Sequence, residues 1–273
     1  MVKSISVGGR FKIGPGQPLA VFGGPCTLES PEICHEIITH MKEVCKRLGV
    51  NYVFKASFDK ANRTSIHSQR GPGIEEGLRR LQEIKDKYDV PVITDIHEPQ
   101  QAEALAKVVD IIQIPAFLCR QTDLLVAVAK TGKVINVKKG QFLAPKDMKS
   151  VINKLEESGN SNLLLCERGY TFGYNNLIVD MRALDIMRGI GYPVVFDATH
   201  SVQLPGGQGN TSGGERQFVS TLSRAAAGVG TDAFFMEIHP NPEVAISDGA
   251  NSLYLKDVED VISKLVKIDA ITR

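Results

Sequence analysis

Four residues with metal-binding side chains follow or end apolar runs that lie far apart in the sequence. Cys26 ends VFGGPC, His200 follows VVFDAT, Glu237 lies in DAFFMEIH and Asp248 lies in AISDGANS. A thiolate, an imidazole and two carboxylates together suit a divalent cation of intermediate softness, such as zinc, iron or manganese. A lone cysteine or histidine is more often a packed side chain, so the four residues predict a metal site only if the fold brings them together.

Cys26 also allows a different chemistry, in which it is a nucleophile activated by His200. Such a dyad needs an acyl substrate and an oxyanion hole, and no pattern in the sequence specifies either. Two neighbouring carboxylates would also oppose formation of the thiolate unless a cation were present. We therefore rank the nucleophile below the metal site.

A second set of side chains is basic and follows other apolar runs. It comprises Lys55, Lys60, Arg63, Arg120, Lys138 and Arg168. Several cations that point into one cavity indicate a ligand with several negative charges, such as two phosphates or a phosphate and a carboxylate. Solvated surface side chains are the simpler alternative. That alternative explains Lys60 easily, but it explains Lys55 and Arg168 poorly because an uncompensated buried cation is costly.

The elements that must position these residues are short apolar runs without polar alternation. They read PLAVFGG, NYVFKA, VPVITD, DIIQIP, KVINVKK, NLLLCERG, YPVVFD and DAFFMEIH. Such runs are typical of parallel strands that are buried on both faces. Segments of helical period lie between them, the clearest starting with Ser30 as N-cap and Pro31 and ending at Gly49.

Eight strands that alternate with helices predict an α/β fold, the (β/α)8 TIM barrel, over 1–273 as a single domain. Residues 1–14 alternate in polarity and predict an additional N-terminal β-hairpin. An open doubly wound sheet is the alternative, but it usually has a GxGxxG turn after its first strand, where this chain has GGPCTLES. Active sites of barrels lie at the carboxyl ends of the strands, which is where the acidic, basic and thiol side chains above occur.

The composition limits the classes of partner. The 32 basic and 31 acidic residues are interspersed, with a formal net charge of +1, so we expect no nucleic acid or membrane partner. No apolar run approaches the length of a membrane span, and the N-terminus lacks the apolar core of a signal peptide. Five cysteines without a CxxC motif argue against a disulfide framework and predict a reducing, cytoplasmic location.

A glycine-rich segment, LPGGQGNTSGGERQ, follows the seventh predicted strand. It lacks the Gly-Lys-Ser/Thr ending of a phosphate-binding P-loop. The many glycines instead favour a mobile lid over the site. Backbone amides that bind a phosphate remain the alternative for this segment.

Three motifs, FKASFDKANRTS, ERGYTFGYNNLIVDMR and FDATHSVQLPGG, resemble the 3-deoxy-D-manno-octulosonate 8-phosphate synthases, and the likeness extends from GGPCTLES to SDGANS. The related 3-deoxy-D-arabino-heptulosonate 7-phosphate synthases usually read Lys-Pro-Arg-Thr where this chain has Lys60-Ala61-Asn62-Arg63-Thr64. One branch of the octulosonate family carries Asn at the position of Cys26 and needs no metal. Cys26 together with His200, Glu237 and Asp248 resembles the metal-dependent branch.

The resemblance implies a transferase that condenses phosphoenolpyruvate with D-arabinose 5-phosphate and water. The products are 3-deoxy-D-manno-octulosonate 8-phosphate and inorganic phosphate, in a step of lipopolysaccharide precursor synthesis. In the family, C3 of phosphoenolpyruvate attacks the sugar aldehyde, water adds at C2, and the tetrahedral intermediate loses phosphate by C–O cleavage. A heptulosonate synthase that uses erythrose 4-phosphate and an inactive sugar-phosphate sensor are the two alternatives.

The resemblance also implies roles for individual residues. The catalytic set is Lys55, Lys60, Lys138, His200 and Asp248, and the metal ligands are Cys26, His200, Glu237 and Asp248. Phosphoenolpyruvate is bound by Lys55, Ser57, Lys60, Gln113, Lys138, Gln141 and Arg168. The sugar phosphate is bound by Asn62, Arg63, Thr64, Ser65 and Asp95. Family members are homotetramers in which Phe117 and Arg120 reach the site of a neighbouring subunit.

Overall fold

The computed structural model describes residues 1–207 and 212–272, and its centre is a closed barrel of parallel strands. Residues 208–211, in the segment that we predict to be a lid, lie outside the described residues, so the lid stays a prediction. The strands are β1 (Ile5–Val7), β2 (Phe11–Ile13), β3 (Ala20–Gly24), β4 (Asn51–Lys55), β5 (Val92–Asp95), β6 (Ile111–Ile114), β7 (Val134–Lys138), β8 (Leu163–Glu167), β9 (Tyr170–Thr171), β10 (Leu177–Ile178), β11 (Val194–Asp197), β12 (Gln203–Leu204), β13 (Gly213–Gly214), β14 (Ala233–His239) and β15 (Leu253–Tyr254).

Eight helices cover the barrel within the described residues. They are α1 (Pro31–Leu48), α2 (Ile74–Tyr88), α3 (Ala102–Val108), α4 (Thr122–Ala129), α5 (Met148–Glu157), α6 (Arg182–Arg188), α7 (Val219–Val229) and α8 (Val258–Thr272). None of the helices in residues 1–207 and 212–272 combines the length and the apolar character that crossing a membrane requires.

The strand pairing closes on itself. Strands β3 to β8 pair in chain order, β8 pairs with β11, β11 with β14, and β14 with β3, all in parallel. Because the last pairing returns to the first strand, the barrel sheet has no free edge, and the open doubly wound sheet is excluded. All eight apolar runs are barrel strands, so the predicted (β/α)8 barrel is confirmed.

Helix α1 shows how local sequence signals set the outer layer. The Ser30 hydroxyl accepts a hydrogen bond from the Ile33 amide at 3.3 Å, and Pro31 occupies the first helical position. Gly49 ends the helix with φ of 67°, a left-handed conformation that glycine adopts without a Cβ clash. The face that contains Ile37, Ile38 and Met41 is fully buried, as its 3.6-residue spacing predicts.

The predicted N-terminal hairpin is present and lies at the amino end of the barrel. Strands β1 and β2 pair antiparallel, with Ile5 opposite Ile13. The Lys3 ammonium donates to the Tyr192 hydroxyl at 2.7 Å, and the Lys3 amide donates to the Gly191 carbonyl just before β11. The buried side chains of Ile5 and Ile13 join the main apolar core. The hairpin therefore covers the end of the barrel opposite the predicted site.

Short elements that the apolar pattern does not predict lie beyond the carboxyl ends of the strands. They are the pairs β9–β10 and β12–β13, the short strand β15, and several 3₁₀ turns, including His200–Val202. Each is too short to produce a periodic apolar signal, because two or three residues cannot show a repeat. Some of them supply lining residues of the predicted site, such as His200 in the 3₁₀ turn and Gln203 in β12.

We predict that Gly24→Ala strongly destabilises the barrel. An added Cβ would lie 2.0 Å from the Lys55 carbonyl oxygen, which belongs to the neighbouring strand β4 and cannot move without disturbing it. Overpacking of this kind costs about 3 kcal/mol of unfolding free energy. Urea denaturation followed by circular dichroism measures the loss.

Gly228→Ala is the matched control for that substitution. Gly228 lies in α7, and an added Cβ would meet no heavy atom within 4 Å. The change should leave stability unchanged or raise it by up to about 1 kcal/mol, because alanine is the better helix former. Equal shifts in the two variants would contradict the predicted close approach at Gly24.

Candidate active site

A pocket of about 750 Å³ opens at the carboxyl ends of the barrel strands. Twelve of the sequence-predicted site residues line it: Lys55, Lys60, Asn62, Arg63, Thr64, Asp95, Phe117, Lys138, Gln141, Arg168, His200 and Asp248. The structure therefore brings most of the predicted substrate-binding residues to one cavity. Its place at this end of the barrel is the one expected for barrel active sites.

Three of the four predicted metal ligands meet beside this pocket. The ligand atoms of Cys26, Glu237 and Asp248 all lie within 4.8 Å of one another. Cys26 Sγ donates a hydrogen bond to Asp248 Oδ2 at 3.1 Å. The three side chains come from the turn after β3, from within β14 and from the loop after β14, so the closing pair of the barrel brings them together.

His200 lies at the edge of this cluster. Its Nε2 is 3.8 Å from Glu237 Oε1, while its Nδ1 lies 2.9 Å from Asp197 Oδ2. The histidine does not belong to the group of mutually close ligand atoms among the described residues. Its ring does face that group, and Asp197 fixes its orientation, as an acidic partner commonly does for a metal-binding histidine.

The donor set fits a divalent cation. Glu237 is fully buried, and its Oε2 atom has no hydrogen-bond partner among the described residues. Burial and the nearby Glu237 carboxylate raise the pKa of the Cys26 thiol well above its ordinary value. A bound cation would release that proton and give the orphan oxygen a partner. The thiolate–carboxylate–imidazole chemistry suits zinc, iron or manganese.

The same geometry disfavours the nucleophile alternative. The Cys26 thiol donates to Asp248, and the His200 Nδ1 atom faces Asp197 and lies 3.5 Å from Lys138 Nζ. His200 is therefore not hydrogen-bonded to the thiol within residues 1–207 and 212–272. A thiol with a raised pKa and no imidazole base bonded to it is a poor nucleophile.

The buried lysines are each paired with a carboxylate. Lys55 Nζ lies 3.3 Å from Glu237 Oε1 and also donates to the Cys26 carbonyl, while Lys138 Nζ lies 2.6 Å from Asp197 Oδ2. Burial would lower the pKa of Lys138, but Asp197 raises it above its ordinary value. Both lysines are buried, which refutes the alternative of solvated side chains for Lys55 and Lys138.

A chain of buried polar side chains holds Asp95. Ser57 Oγ donates to Asp95 Oδ2, and Gln113 Nε2 donates to Asp95 Oδ1 at 2.5 Å. Asn136 Nδ2 then donates to Gln113 Oε1 at 2.8 Å, which fixes the direction of the Gln113 amide. Burial raises the pKa of Asp95, but Lys55, Lys60 and Lys138 outweigh it and hold that pKa well below its usual range.

Arg168 is buried yet only partly satisfied. Its Nη2 donates to Gln203 Oε1 at 2.9 Å, whereas Nη1 has no partner among the described residues. Gln141 Oε1, also on the pocket wall, is likewise buried without a partner there. These free groups can bind a ligand, because a buried polar atom without a partner is costly and gains most from one.

The segment after β4 reaches across the pocket. Arg63 Nη1 donates to Ser247 Oγ at 2.5 Å, and Nη2 donates to the Ile246 carbonyl at 3.1 Å. Arg63 is therefore connected to the loop that carries Asp248.

Six predicted residues do not line this pocket. Cys26 and Glu237 belong to the cluster beside it, and Ser57 and Gln113 hydrogen-bond to Asp95 on its wall. Ser65 and Arg120 lie elsewhere. The Ser65 hydroxyl accepts a hydrogen bond from the His67 amide in its own exposed turn. Arg120 lines a separate cavity of about 200 Å³ with Leu143, Asp147 and Lys154. Whether Arg120 acts in a neighbouring subunit stays a prediction.

Sequence reasoning placed Asp197 at a strand end beside His200 without a specific contact, and it gave no place in the site to Gln203 and Asn136, which the structure connects to it. Asp197 bonds both Lys138 and His200, and Gln203 bonds both Arg168 and Asp248. The sequence could have indicated Asn136, because an amide side chain in the middle of the apolar run VINVK is expected to be buried and to need a polar partner. Gln203 had none, since a glutamine in a polar loop is ordinary.

The comparisons with known proteins agree with this geometry. The sequence model of the DAHP synthetase I family matches residues 3–272. The 2-dehydro-3-deoxyphosphooctonate aldolase of Cyanothece sp. is 60% identical over 268 residues, or 98% of each chain. The protein of the same name from Fusobacterium nucleatum is 57% identical over 265 residues, 97% of this chain and 95% of the relative. A third, from Geobacter sulfurreducens, is 55% identical over 273 residues, the full length of both.

Both the family match and these relatives cover nearly the whole chain, including every element that contributes to the pocket. The chain therefore belongs to the DAHP synthetase I family, in which it is similar to the 2-dehydro-3-deoxyphosphooctonate aldolases.

Proposed function

We propose that this chain is a 3-deoxy-D-manno-octulosonate 8-phosphate synthase, the activity for which 2-dehydro-3-deoxyphosphooctonate aldolase is another name. It condenses phosphoenolpyruvate with D-arabinose 5-phosphate and water, and it is a transferase of lipopolysaccharide precursor synthesis. The observation that carries this proposal is one pocket that unites the cations Lys55, Lys60, Lys138 and Arg168 beside a thiol–carboxylate cluster. The relatives named above, at 55–60% identity, support it.

Phosphoenolpyruvate is bound by the cations of the pocket. Its phosphate and carboxylate need several positive groups, and Lys60, Lys138 and Arg168 supply charge that surrounding carboxylates only partly neutralise. The unpartnered Nη1 of Arg168 donates to an oxygen of this ligand. Positive charge already in place near C2 stabilises the charge that develops there without any reorganisation of the site.

Arabinose 5-phosphate is bound by the opposite wall. Arg63 exchanges its bonds to Ser247 and Ile246 for the sugar phosphate, together with Asn62 and Thr64, which line the same pocket. The ionised Asp95 carboxylate accepts a sugar hydroxyl in addition to Ser57 and Gln113, since each carboxylate oxygen has two acceptor sites. Held in this way, the aldehyde faces C3 of phosphoenolpyruvate.

The chemistry then needs bond formation between C3 and the aldehyde carbon, addition of water at C2, and C–O cleavage that releases phosphate. Lys138 Nζ lies 3.5 Å from His200 Nδ1 and both side chains bond to Asp197, so Asp197 holds the Lys138 ammonium beside the reacting oxygens and leaves His200 Nε2 available as a metal ligand. Lys55 and Lys60 hold the anionic substrate while the tetrahedral intermediate forms. Asp248 lines the pocket, so its carboxylate places the thiol–carboxylate cluster next to the bound sugar.

We infer in addition that the enzyme belongs to the metal-dependent branch. Cys26, Glu237 and Asp248 would hold a divalent cation, with His200 as the fourth ligand. The cation would orient the acceptor sugar and activate water. The orphan Glu237 Oε2 and the mutual proximity of the three ligand atoms support this proposal.

Inorganic phosphate release should separate the proposed activity from its alternatives. Purified protein with phosphoenolpyruvate should turn over arabinose 5-phosphate at least about tenfold faster than erythrose 4-phosphate, because Asn62-Arg63 replaces the Pro-Arg of the heptulosonate enzymes. Faster turnover of erythrose 4-phosphate would contradict the proposal. Tight binding of both substrates without any phosphate release would indicate the inactive sensor.

Metal removal tests the metal-dependent branch. Chelated, metal-free protein should lose most of its phosphate release, and single additions of zinc, manganese or ferrous ion should restore it. Cys26→Asn should bind metal at least about tenfold more weakly, because a thiolate ligand is lost, yet retain part of the activity, since the other branch has Asn there. Cys34→Ala is the control, because Cys34 lies on the buried face of α1 and does not belong to the group of close ligand atoms among the described residues.

Two outcomes would contradict the metal-dependent assignment. Full activity in the metal-free parent would show that the cation is unnecessary. Unchanged metal affinity in Cys26→Asn would show that Cys26 is not a ligand. Metal affinity is measured by competition with a coloured chelator, so the second outcome does not depend on turnover.

We also propose that the protein is cytoplasmic and forms a homotetramer. All five cysteines are buried and free, which suits a reducing compartment. Phe117, Phe142 and Phe172 each expose more than half of their surface, and Phe117 lines the pocket; exposed aromatic side chains suit contacts between subunits. Light scattering should therefore give about four times the chain mass of 29.8 kDa, and a monomer at micromolar concentration would contradict this state.

A further inference from the structure

We propose that Gln203 is a positioning residue that holds the Arg168 guanidinium and the Asp248 carboxylate apart, so that each keeps its capacity to bind a ligand. Arg168 Nη2 donates to Gln203 Oε1 at 2.9 Å, and Gln203 Nε2 donates to Asp248 Oδ1 at 2.8 Å. One amide thus connects the anion-binding side of the pocket to the thiol–carboxylate cluster. The inference rests on the proposed function, in which Arg168 binds phosphoenolpyruvate and Asp248 binds a metal.

The link needs a side chain that accepts at one end and donates at the other, as the glutamine amide does. Its oxygen accepts from a cation and its nitrogen donates to an anion, and neither a carboxylate nor an ammonium can do both. The other carboxylate oxygen, Asp248 Oδ2, accepts from Cys26 Sγ and Ser247 Oγ at 3.1 and 3.2 Å. Gln203 is therefore the residue through which Asp248 is joined to Arg168 within the described part of the chain.

The backbone of Gln203 is fixed from two sides. Its amide donates to the His200 carbonyl and so closes the 3₁₀ turn that carries His200. In β12 it pairs antiparallel with Gly214, and the Glu215 amide donates to the Val202 carbonyl beside it. A side chain on so constrained a backbone can maintain a distance between two charged groups.

The two charges would otherwise attract each other. Arg168 is 4% exposed, and the partner that its guanidinium has among residues 1–207 and 212–272 is the Gln203 amide oxygen, at 2.9 Å from Nη2. Burial lowers the pKa of Arg168, and Asp197 and Asp248 raise it, so Asp248 acts on this cation through space. A direct ion pair in such a site would occupy the groups that the two ligands need.

Gln203→Met removes both hydrogen bonds at nearly the same volume. Co²⁺ is titrated into substrate-free, chelator-treated protein, and binding is followed by the charge-transfer absorption that a Cys26 thiolate ligand produces. We expect the dissociation constant of Co²⁺ to rise about tenfold, as is usual when a partner of a metal ligand is lost. Calorimetry on metal-free protein should show weaker binding of phosphoenolpyruvate as well, because Arg168 is then engaged by Asp248.

Gln217→Met is the matched control, because Gln217 is exposed in the nearby turn Arg216–Phe218. It should leave both affinities unchanged. Gln203→Asn keeps the amide but is one methylene too short to span both partners, so it should behave like Gln203→Met. If the methionine variant does not fold, the Co²⁺ dissociation constant of Gln203→Asn provides the test.

Arg168→Met distinguishes separation of charges from simple support of Asp248. If Gln203 keeps Arg168 away, removing the guanidinium should restore Co²⁺ affinity, so that Arg168→Met/Gln203→Met binds within about threefold of Arg168→Met alone. A tenfold loss that persists in the double variant would overturn the inference, as would an unchanged affinity in Gln203→Met.

Failure of the proposed function gives different results. Absence of turnover in the parent, with the Co²⁺ affinities as expected, would refute the condensation and leave the role of Gln203 intact. A parent that releases phosphate but shows no thiolate–Co²⁺ absorption would overturn the present inference and leave the condensation standing.

Discussion

The site depends on the buried ion pair between Lys55 and Glu237, with 3.3 Å between Nζ and Oε1. Both side chains are almost completely inaccessible, and a charge in such a place must have an opposite charge beside it. The partners lie on strands β4 and β14, on either side of β3, which ends in Gly23 and Gly24. Closure of the barrel therefore joins the anion-binding lysines to the acidic cluster.

Other charged side chains around the pocket also lie beside an opposite charge. Lys138 pairs with Asp197, and Lys60 lies 3.9 Å from Asp95. Removing one member of such a pair leaves the other charged and buried, which costs more than the pair itself contributes to stability. The polar groups are therefore held in place before any substrate arrives, and Arg168 Nη1 and Glu237 Oε2 are left for ligands.

The barrel could be predicted from sequence because each buried parallel strand is a local apolar run and each helix has local start and stop signals. The location of the polar residues followed, since strand ends converge at one end of a barrel. Side-chain direction could not be predicted. His200 turns toward Asp197 and lies at the edge of the cluster, while Ser65 and Arg120 lie away from the pocket. The contacts of Gln203 depend on the geometry of a loop, and the spacing of apolar residues in the sequence carries no information about that geometry.

The hairpin β1–β2 has a consequence for how the two ends of the barrel tolerate change. Because it covers the amino end, substitutions there are constrained by packing against Ile5 and Ile13 and by the fit of the hairpin. Substitutions at the opposite end are constrained by charge balance as well. Homologues should therefore exchange one apolar residue for another freely at the hairpin end, whereas changes at the pocket should occur as matched pairs of charges.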